Sequence, residues 1–214
     1  MTDALASHAN TYGIVLAGGL GKRLGHGNKA LQVVAGQPLV SHVIDRIKPQ
    51  LQNGSLWLNA NDDATRFASF GLPVLGDTIG GRPGPLAGIL VAMQHAPANS
   101  WILSVPADTI FVPRNLFAEL CKRQRAAGGG IVLAASAGGA CHVCGLWPTQ
   151  LAGDLAEALA KGENKVQLWA ARHGACYAEF PLESIGHTRA DPFFNINTPG
   201  ELTEAEIILS AAPS

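Results

Sequence analysis

From residue 12 onward, short apolar runs alternate with longer segments whose apolar positions recur at helical spacing. Tyr12–Leu16, Ser55–Asn59, Leu72–Leu75, Ile102–Val105, Ile131–Ala135, a run around Leu146 and Cys176–Phe180 have strand length. Pro38 opens a predicted helix in which Val40, Val43, Ile44 and Ile47 share one face until Pro49 ends it. Pro85 starts a second helix, striped by Leu86, Ile89, Leu90 and Met93, and a third spans about Arg114 to Arg125. Gly128-Gly129-Gly130 marks the turn into the strand at Ile131. Further helices are expected over Asp154–Ala160 and, from the capping signal Thr198-Pro199-Gly200-Glu201, to about Leu209. Strands apolar on both faces, alternating with helices, predict an α/β fold of three layers, Rossmann-like, with a mostly parallel sheet and helices on both faces.

The composition keeps this picture and narrows it. The 214 residues are 47% hydrophobic and 14% charged, with no repeat and no linker-like stretch, so one domain over 1–214 is expected, with residues 1–10 disordered. A domain of this size buries roughly 70% of its unfolded surface and needs no metal or disulfide staple. A net charge of -1 gives no sign of nucleic acid or an anionic membrane as partner, so an anionic substrate must be held by locally placed groups. The first residues lack a basic region followed by a long apolar run, and a cytoplasmic location is expected. Cys121, Cys141, Cys144 and Cys176 are too sparse for a disulfide scaffold and read as reduced thiols.

The candidate chemistry begins directly after the first strand, in Leu16-Ala17-Gly18-Gly19-Leu20-Gly21-Lys22-Arg23-Leu24-Gly25-His26-Gly27-Asn28-Lys29. Glycines let a backbone approach a ligand closely, and its N–H groups can converge on phosphate oxygens. Ligands of open α/β sheets collect at the carboxyl ends of the strands, where this loop lies. The segment does not match the Walker pattern, since no hydroxyl residue follows Gly21-Lys22 or Asn28-Lys29, and it matches the dinucleotide fingerprint only in part. A long glycine-rich arc flanked by the cations Arg23 and Lys29 suits a triphosphate.

Leu16-Ala17-Gly18-Gly19, Arg23, Lys29 and Gly36-Gln37-Pro38-Leu39 resemble the signature of the molybdenum cofactor guanylyltransferases, within the Rossmann-like nucleotidyltransferases. The resemblance continues in order through Leu58-Asn59-Ala60-Asn61, Asp77, Gly84-Pro85-Leu86-Ala87-Gly88, Asp108-Thr109 and Phe194-Asn195-Ile196-Asn197-Thr198-Pro199. It implies transfer of GMP from GTP to the phosphate of molybdopterin, with Mg²⁺ as cofactor. A monomer is expected, with transient contact to molybdoenzymes or their chaperones, although the sequence itself does not reveal the oligomeric state. GTP is expected on the N-terminal part and molybdopterin on the C-terminal part. The competing readings are a nucleotidyltransferase that uses CTP or acts on another small phosphate, and a non-catalytic nucleotide-binding partner of molybdoenzymes.

Attack by an anionic phosphate oxygen on an α-phosphorus calls for orientation and charge neutralisation more than for an acid/base pair. Arg23, Lys29 and Asp108 are the candidate catalytic residues. Asp108 follows the strand that stops at Pro106, and one carboxylate joined by phosphates and waters suits Mg²⁺. The resemblance implies that Leu16, Ala17, Gly18, Gly19, Lys29, Asn59, Asp77 and Asp108 bind GTP and that Asp108 is the metal ligand. A carboxylate can accept two hydrogen bonds from the guanine edge, but whether Asn59 or Asp77 meets the base stays open. The missing methyl at Gly18 favours a purine over the pyrimidine of the related cytidylyltransferases, which usually carry Ala there.

By the same resemblance molybdopterin lies near His142, Asn195 and Asn197, although the two asparagines could equally stabilise the turn before the capped helix. Asn28 departs from a frequent Asp, Ala107 from a frequent Cys and Ile110 from a common Pro. The segment Glu163-Asn164-Lys165-Val166 lacks the paired arginines often found there. Cys141-His142-Val143-Cys144 lacks a fourth ligand at zinc spacing and reads as strand cysteines.

Overall fold

The computed structural model describes residues 10–18, 27–51, 55–61, 64–80 and 84–211. Strand β1 (Thr11–Leu16) is followed by the small antiparallel pair β2 (Val33–Val34) and β3 (Gln37–Pro38), which leads into helix α1 (Leu39–Ile47). Then come β4 (Leu56–Asn59), β5 (Val74–Leu75), α2 (Pro85–His95), β6 (Trp101–Pro106) and α3 (Leu116–Ala126). The remainder holds β7 (Val132–Ser136), β8 (Gly139–Pro148), α4 (Ala152–Ala160), α5 (Val166–Arg172), β9 (Cys176–Phe180), the hairpin β10 (Glu183–Ile185) with β11 (Thr188–Ala190), and α6 (Pro199–Ser210).

Seven strands form one sheet in the order β5-β4-β1-β6-β8-β7-β9. All neighbours pair in parallel except β8, which runs against both β6 and β7. The sheet is therefore mostly parallel, with a single reversed strand next to its centre. Its two faces are covered differently. Val40, Val43 and Ile47 of α1, Leu116 and Leu120 of α3, and Ala205 and Ile208 of α6 pack on one side. Leu86, Ile89 and Leu90 of α2, Leu155 and Leu159 of α4, and Trp169 of α5 pack on the other. These are the three layers read from the alternation.

The differences from the sequence pattern have local causes. Leu86 through Met93 are all buried, so α2 is apolar on every side where a single stripe was expected. The third helix begins at Leu116 because Leu116 N–H already bonds Pro113 C=O in a preceding turn. Helix α5 and the hairpin β10–β11 are too short for periodicity to reveal. The run around Leu146 extends back through Cys141, making a ten-residue strand. Of the first ten residues Asn10 alone is described, and its C=O accepts the Trp101 N–H at 3.0 Å; the expectation for residues 1–9 lies outside the described residues.

Candidate active site

The register of the parallel strands sets the site. Leu16 pairs with both Asn59 and Pro106, and Asn59 pairs with Leu75, so four strands end at one level. The residues just beyond these ends are Gly18, Asn61, Asp77 and Asp108. Backbone bonds lock the ends together. Ala17 N–H donates to Asn59 C=O at 2.8 Å, Ala107 N–H to Leu16 C=O at 3.0 Å, and Ala60 N–H to Leu75 C=O at 3.2 Å. Leu16 and Ala17 thus shape the edge through groups already engaged in the sheet, and Gly18 is the first exposed position of the loop. Gly19 and Arg23 lie outside the described residues.

Asn28, flagged as a departure from Asp, is buried. Its Nδ2 donates to Ala17 C=O at 2.9 Å and its Oδ1 accepts the Ala30 N–H at 2.9 Å, so it ties the far end of the glycine loop back to strand β1. An aspartate carboxylate could accept the second bond but could not donate the first.

Asn59 and Asp77 belong to one cluster. Asn59 Nδ2 donates to Leu75 C=O at 3.0 Å and to Asp77 Oδ1 at 2.8 Å. Asn61, unnoticed as a separate group in the sequence, donates to Asp77 Oδ2 at 2.6 Å and accepts the Asp77 N–H at 2.8 Å. Both carboxylate oxygens are therefore held, and each keeps a lone pair free. Gly88 allows α2 to pass this close: a Cβ there would lie 2.5 Å from Leu16 Cδ2 and 2.8 Å from Asn59 Cγ. A Cβ on Gly18 would meet Asn61 Nδ2 at 3.6 Å, an ordinary contact, so the bare glycine leaves space beside the cluster.

The opposing charges meet a strand away. Lys29 Nζ forms an ion pair with Asp108 Oδ2, and both side chains are largely shielded, at 13% and 17% exposure. Asn197 Oδ1 accepts a further bond from Lys29 Nζ at 2.5 Å. The Asn195–Asn197 segment is stitched to the same loop, with Thr109 Oγ1 on Asn195 Oδ1 at 2.9 Å and Ile196 N–H on Asp108 C=O at 3.2 Å. Asp108 Oδ1 is buried and has no hydrogen-bond partner among the described residues. Such an orphaned carboxylate oxygen costs free energy unless a ligand or ion completes it.

His142 sits on β8, with Nδ1 at 3.4 Å from the Tyr177 hydroxyl. Opposite it the ladder slips: Leu133 pairs with Gly145 but Ala134 pairs with Cys141, so β8 bulges through His142, Val143 and Cys144. The bulge lets Cys141 and Cys144 face one core although three positions apart. Burial pushes the Cys144 thiol well up, and its hydrogen bond to Cys141 holds that thiol down. Among the described residues no three His, Cys, Asp or Glu side chains cluster as metal ligands.

A Rossmann-like sheet that gathers a lysine, a carboxylate with a vacant oxygen and a polar cluster beside a glycine loop defines the nucleotidyltransferase class. The model of the MobA-like NTP transferase domain matches residues 13–176. The molybdenum cofactor guanylyltransferase of Rhodopseudomonas palustris (strain BisB5) is 44% identical over 95% of this chain and 96% of its own length. The one from Rhizobium meliloti is 42% identical over 96% and 95%. Molybdopterin-guanine dinucleotide biosynthesis protein A from Archaeoglobus fulgidus superposes with a TM-score of 0.71 at 24% identity, over 93% of this chain and 98% of that one. This chain belongs to the MobA-like NTP transferases, among the molybdenum cofactor guanylyltransferases.

Proposed function

We propose that the chain transfers GMP from GTP to the phosphate of molybdopterin, releasing pyrophosphate, and that it does so with Mg²⁺. The observation that carries this is the junction of Lys29, Asp108 and Asn197 at the same strand ends as Gly18 and the Asn59–Asp77–Asn61 cluster. The relatives' shared name supports the two substrates.

In this reading Asp77 meets the guanine edge, and Asn59 and Asn61 orient its carboxylate. Leu16 and Ala17 form the floor and the Gly18 amide meets the phosphates, while Gly19 and Arg23 keep the phosphate-binding roles that the resemblance implies. The acceptor's phosphate oxygen attacks the α-phosphorus; its new P–O bond forms as the bond to the β-phosphate breaks, and Lys29 neutralises the charge that gathers on the leaving pyrophosphate. The vacant Asp108 Oδ1 fits a hard divalent cation, which prefers one or two carboxylates plus phosphate oxygens. When bound, Mg²⁺ supplies Lewis-acid charge to the phosphates. Asn195, Asn197 and His142 face the acceptor.

The test is pyrophosphate release by purified protein given molybdopterin, Mg²⁺ and each of the four nucleoside triphosphates. Turnover with GTP far above the rest is expected, and it should stop when a chelator removes the cation. A preference for CTP would overturn the guanine assignment, and no turnover with any nucleotide would overturn the enzyme.

A further inference from the structure

The capping box of α6 holds more than its helix. In an ordinary box the N3 carboxylate accepts the N–H of the N-cap residue, here Thr198. Glu201 Oε2 does this at 2.8 Å, but the same oxygen also accepts the Asn197 N–H at 2.7 Å and meets the Thr198 hydroxyl at 3.0 Å. Asn197 is the residue whose Oδ1 takes the Lys29 ammonium at 2.5 Å. Just upstream, Ile196 is fully buried and its N–H is fixed on Asp108 C=O. The chain at 196–198 is thus pinned on one side by the Asp108 loop and on the other by Glu201, with the Asn197 side chain directed at Lys29 between them. Bonds from the Asn197 N–H foremost, then from Thr198, hold the Glu201 carboxyl below its ordinary range, so it stays an ionised acceptor.

We infer that Glu201 is a positioning residue for the active-site lysine: by reaching one residue beyond its capping box to the Asn197 N–H, it aims the Asn197 amide oxygen at Lys29 Nζ. The inference rests on the proposed phosphate-binding role of Lys29. A neutral acceptor held there shares the ammonium with Asp108 and keeps the lysine at the strand ends. With Glu201 gone, residue 197 keeps the Ile196 anchor and a long 3.4 Å bond from its Nδ2 to Asn195 C=O but loses its hold on the helix side, so the carboxylate is left as the firmly held partner of Lys29.

The experiment compares Glu201→Ala with Thr198→Ala, which removes the capping hydroxyl but leaves the Asn197 N–H its acceptor, and with Glu201→Gln, whose amide oxygen can still accept. Glu201→Ala is expected to lower kcat about tenfold, as small misplacements of catalytic groups do. Lys29 should be acetylated several-fold faster by acetic anhydride, read by mass spectrometry without any turnover. Glu201→Gln should restore most of both, and Glu201→Ala should add nothing to Asn197→Ala. Thr198→Ala should lower Tm to a similar extent while kcat and Lys29 labelling stay within twofold. Equal losses of Tm in the two alanine variants, with kcat and labelling unchanged in Glu201→Ala, would overturn the inference. If Glu201→Ala melts below the assay temperature, Glu201→Asp, one methylene too short to reach the Asn197 N–H, carries the same comparison. Should the unmodified chain release no pyrophosphate, the proposed activity fails, and the labelling comparison still decides the role of Glu201.

Discussion

The sheet edge has two unlike halves. Over β5, β4, β1 and β6 all strands run in parallel and end in register, and each polar group beyond them is held by at least one bond of 3.0 Å or less: Asn59 on Leu75 and Asp77, Asn61 on Asp77, Lys29 on Asp108 and Asn197. Over β8, β7 and β9 one strand is reversed and bulged, and His142 has a long 3.4 Å contact with Tyr177. The parallel half is preorganised by backbone ladders, which suits an invariant triphosphate whose charge must be met without reorganisation. In the other half the Val143 C=O inside the bulge is held by Ser104 Oγ at 2.5 Å, while the His142 ring keeps only its long contact and is left to meet an acceptor recognised by a few polar contacts.

The comparison can be broken at its strongest point first. Asp108→Asn keeps the size of the side chain but removes the charge that pairs Lys29 and the oxygen free for a cation; pyrophosphate release is expected to drop about a thousandfold with an unchanged circular dichroism spectrum. A loss under tenfold would mean that the junction is structural only. Asp77→Asn should weaken the preference for GTP over the other triphosphates by about 10- to 100-fold, seen in competition binding, because a carboxylate acceptor for two base donors is lost. Unaltered selectivity there would move guanine reading elsewhere.

Gly88→Ala tests whether the parallel half is as rigid as its ladders suggest. The new methyl must displace Leu16 or Asn59, and a loss of about 1–3 kcal/mol in urea unfolding is expected, accompanied by a higher KM for GTP. A neutral outcome would show that α2 can move away from the strands at little cost. The smallest effect belongs to the other half. His142→Ala should raise the KM for molybdopterin about three- to tenfold and leave the KM for GTP alone, in line with the loss of one exposed polar contact. Equal changes in both constants would erase the division between the halves.

Much of the fold was legible because it is local. The helical spacing of Val40, Val43, Ile44 and Ile47, the proline at 85 and the Thr198–Glu201 box each mark an element by rules that span a few residues, and α1, α2 and α6 stand where those rules put them. The reversed direction of β8 left no such mark, since an apolar run carries no sign of which way it will pair. The extra reach of Glu201 was hidden too, because the box signature speaks only for the helix it starts.

The candidate site divides the same way. Its residue types were visible one by one, as a glycine loop, a lysine, and carboxylates and amides at strand tips. Asn61 was given no role of its own beside Asn59, and Asn28 looked like a mere departure, because their value lies in partners 16 and 11 positions away.

What the chain determined by itself was the set of elements, their order and the chemical groups available at their ends, since propensity, capping and apolar period act over one or two turns. Tertiary structure alone decided which groups meet: Lys29 reaches Asp108 across 79 positions and Asn197 across 168. Contacts at such separations come from sheet order, register and one bulge, and these are settled by packing the whole core together, not by any single segment.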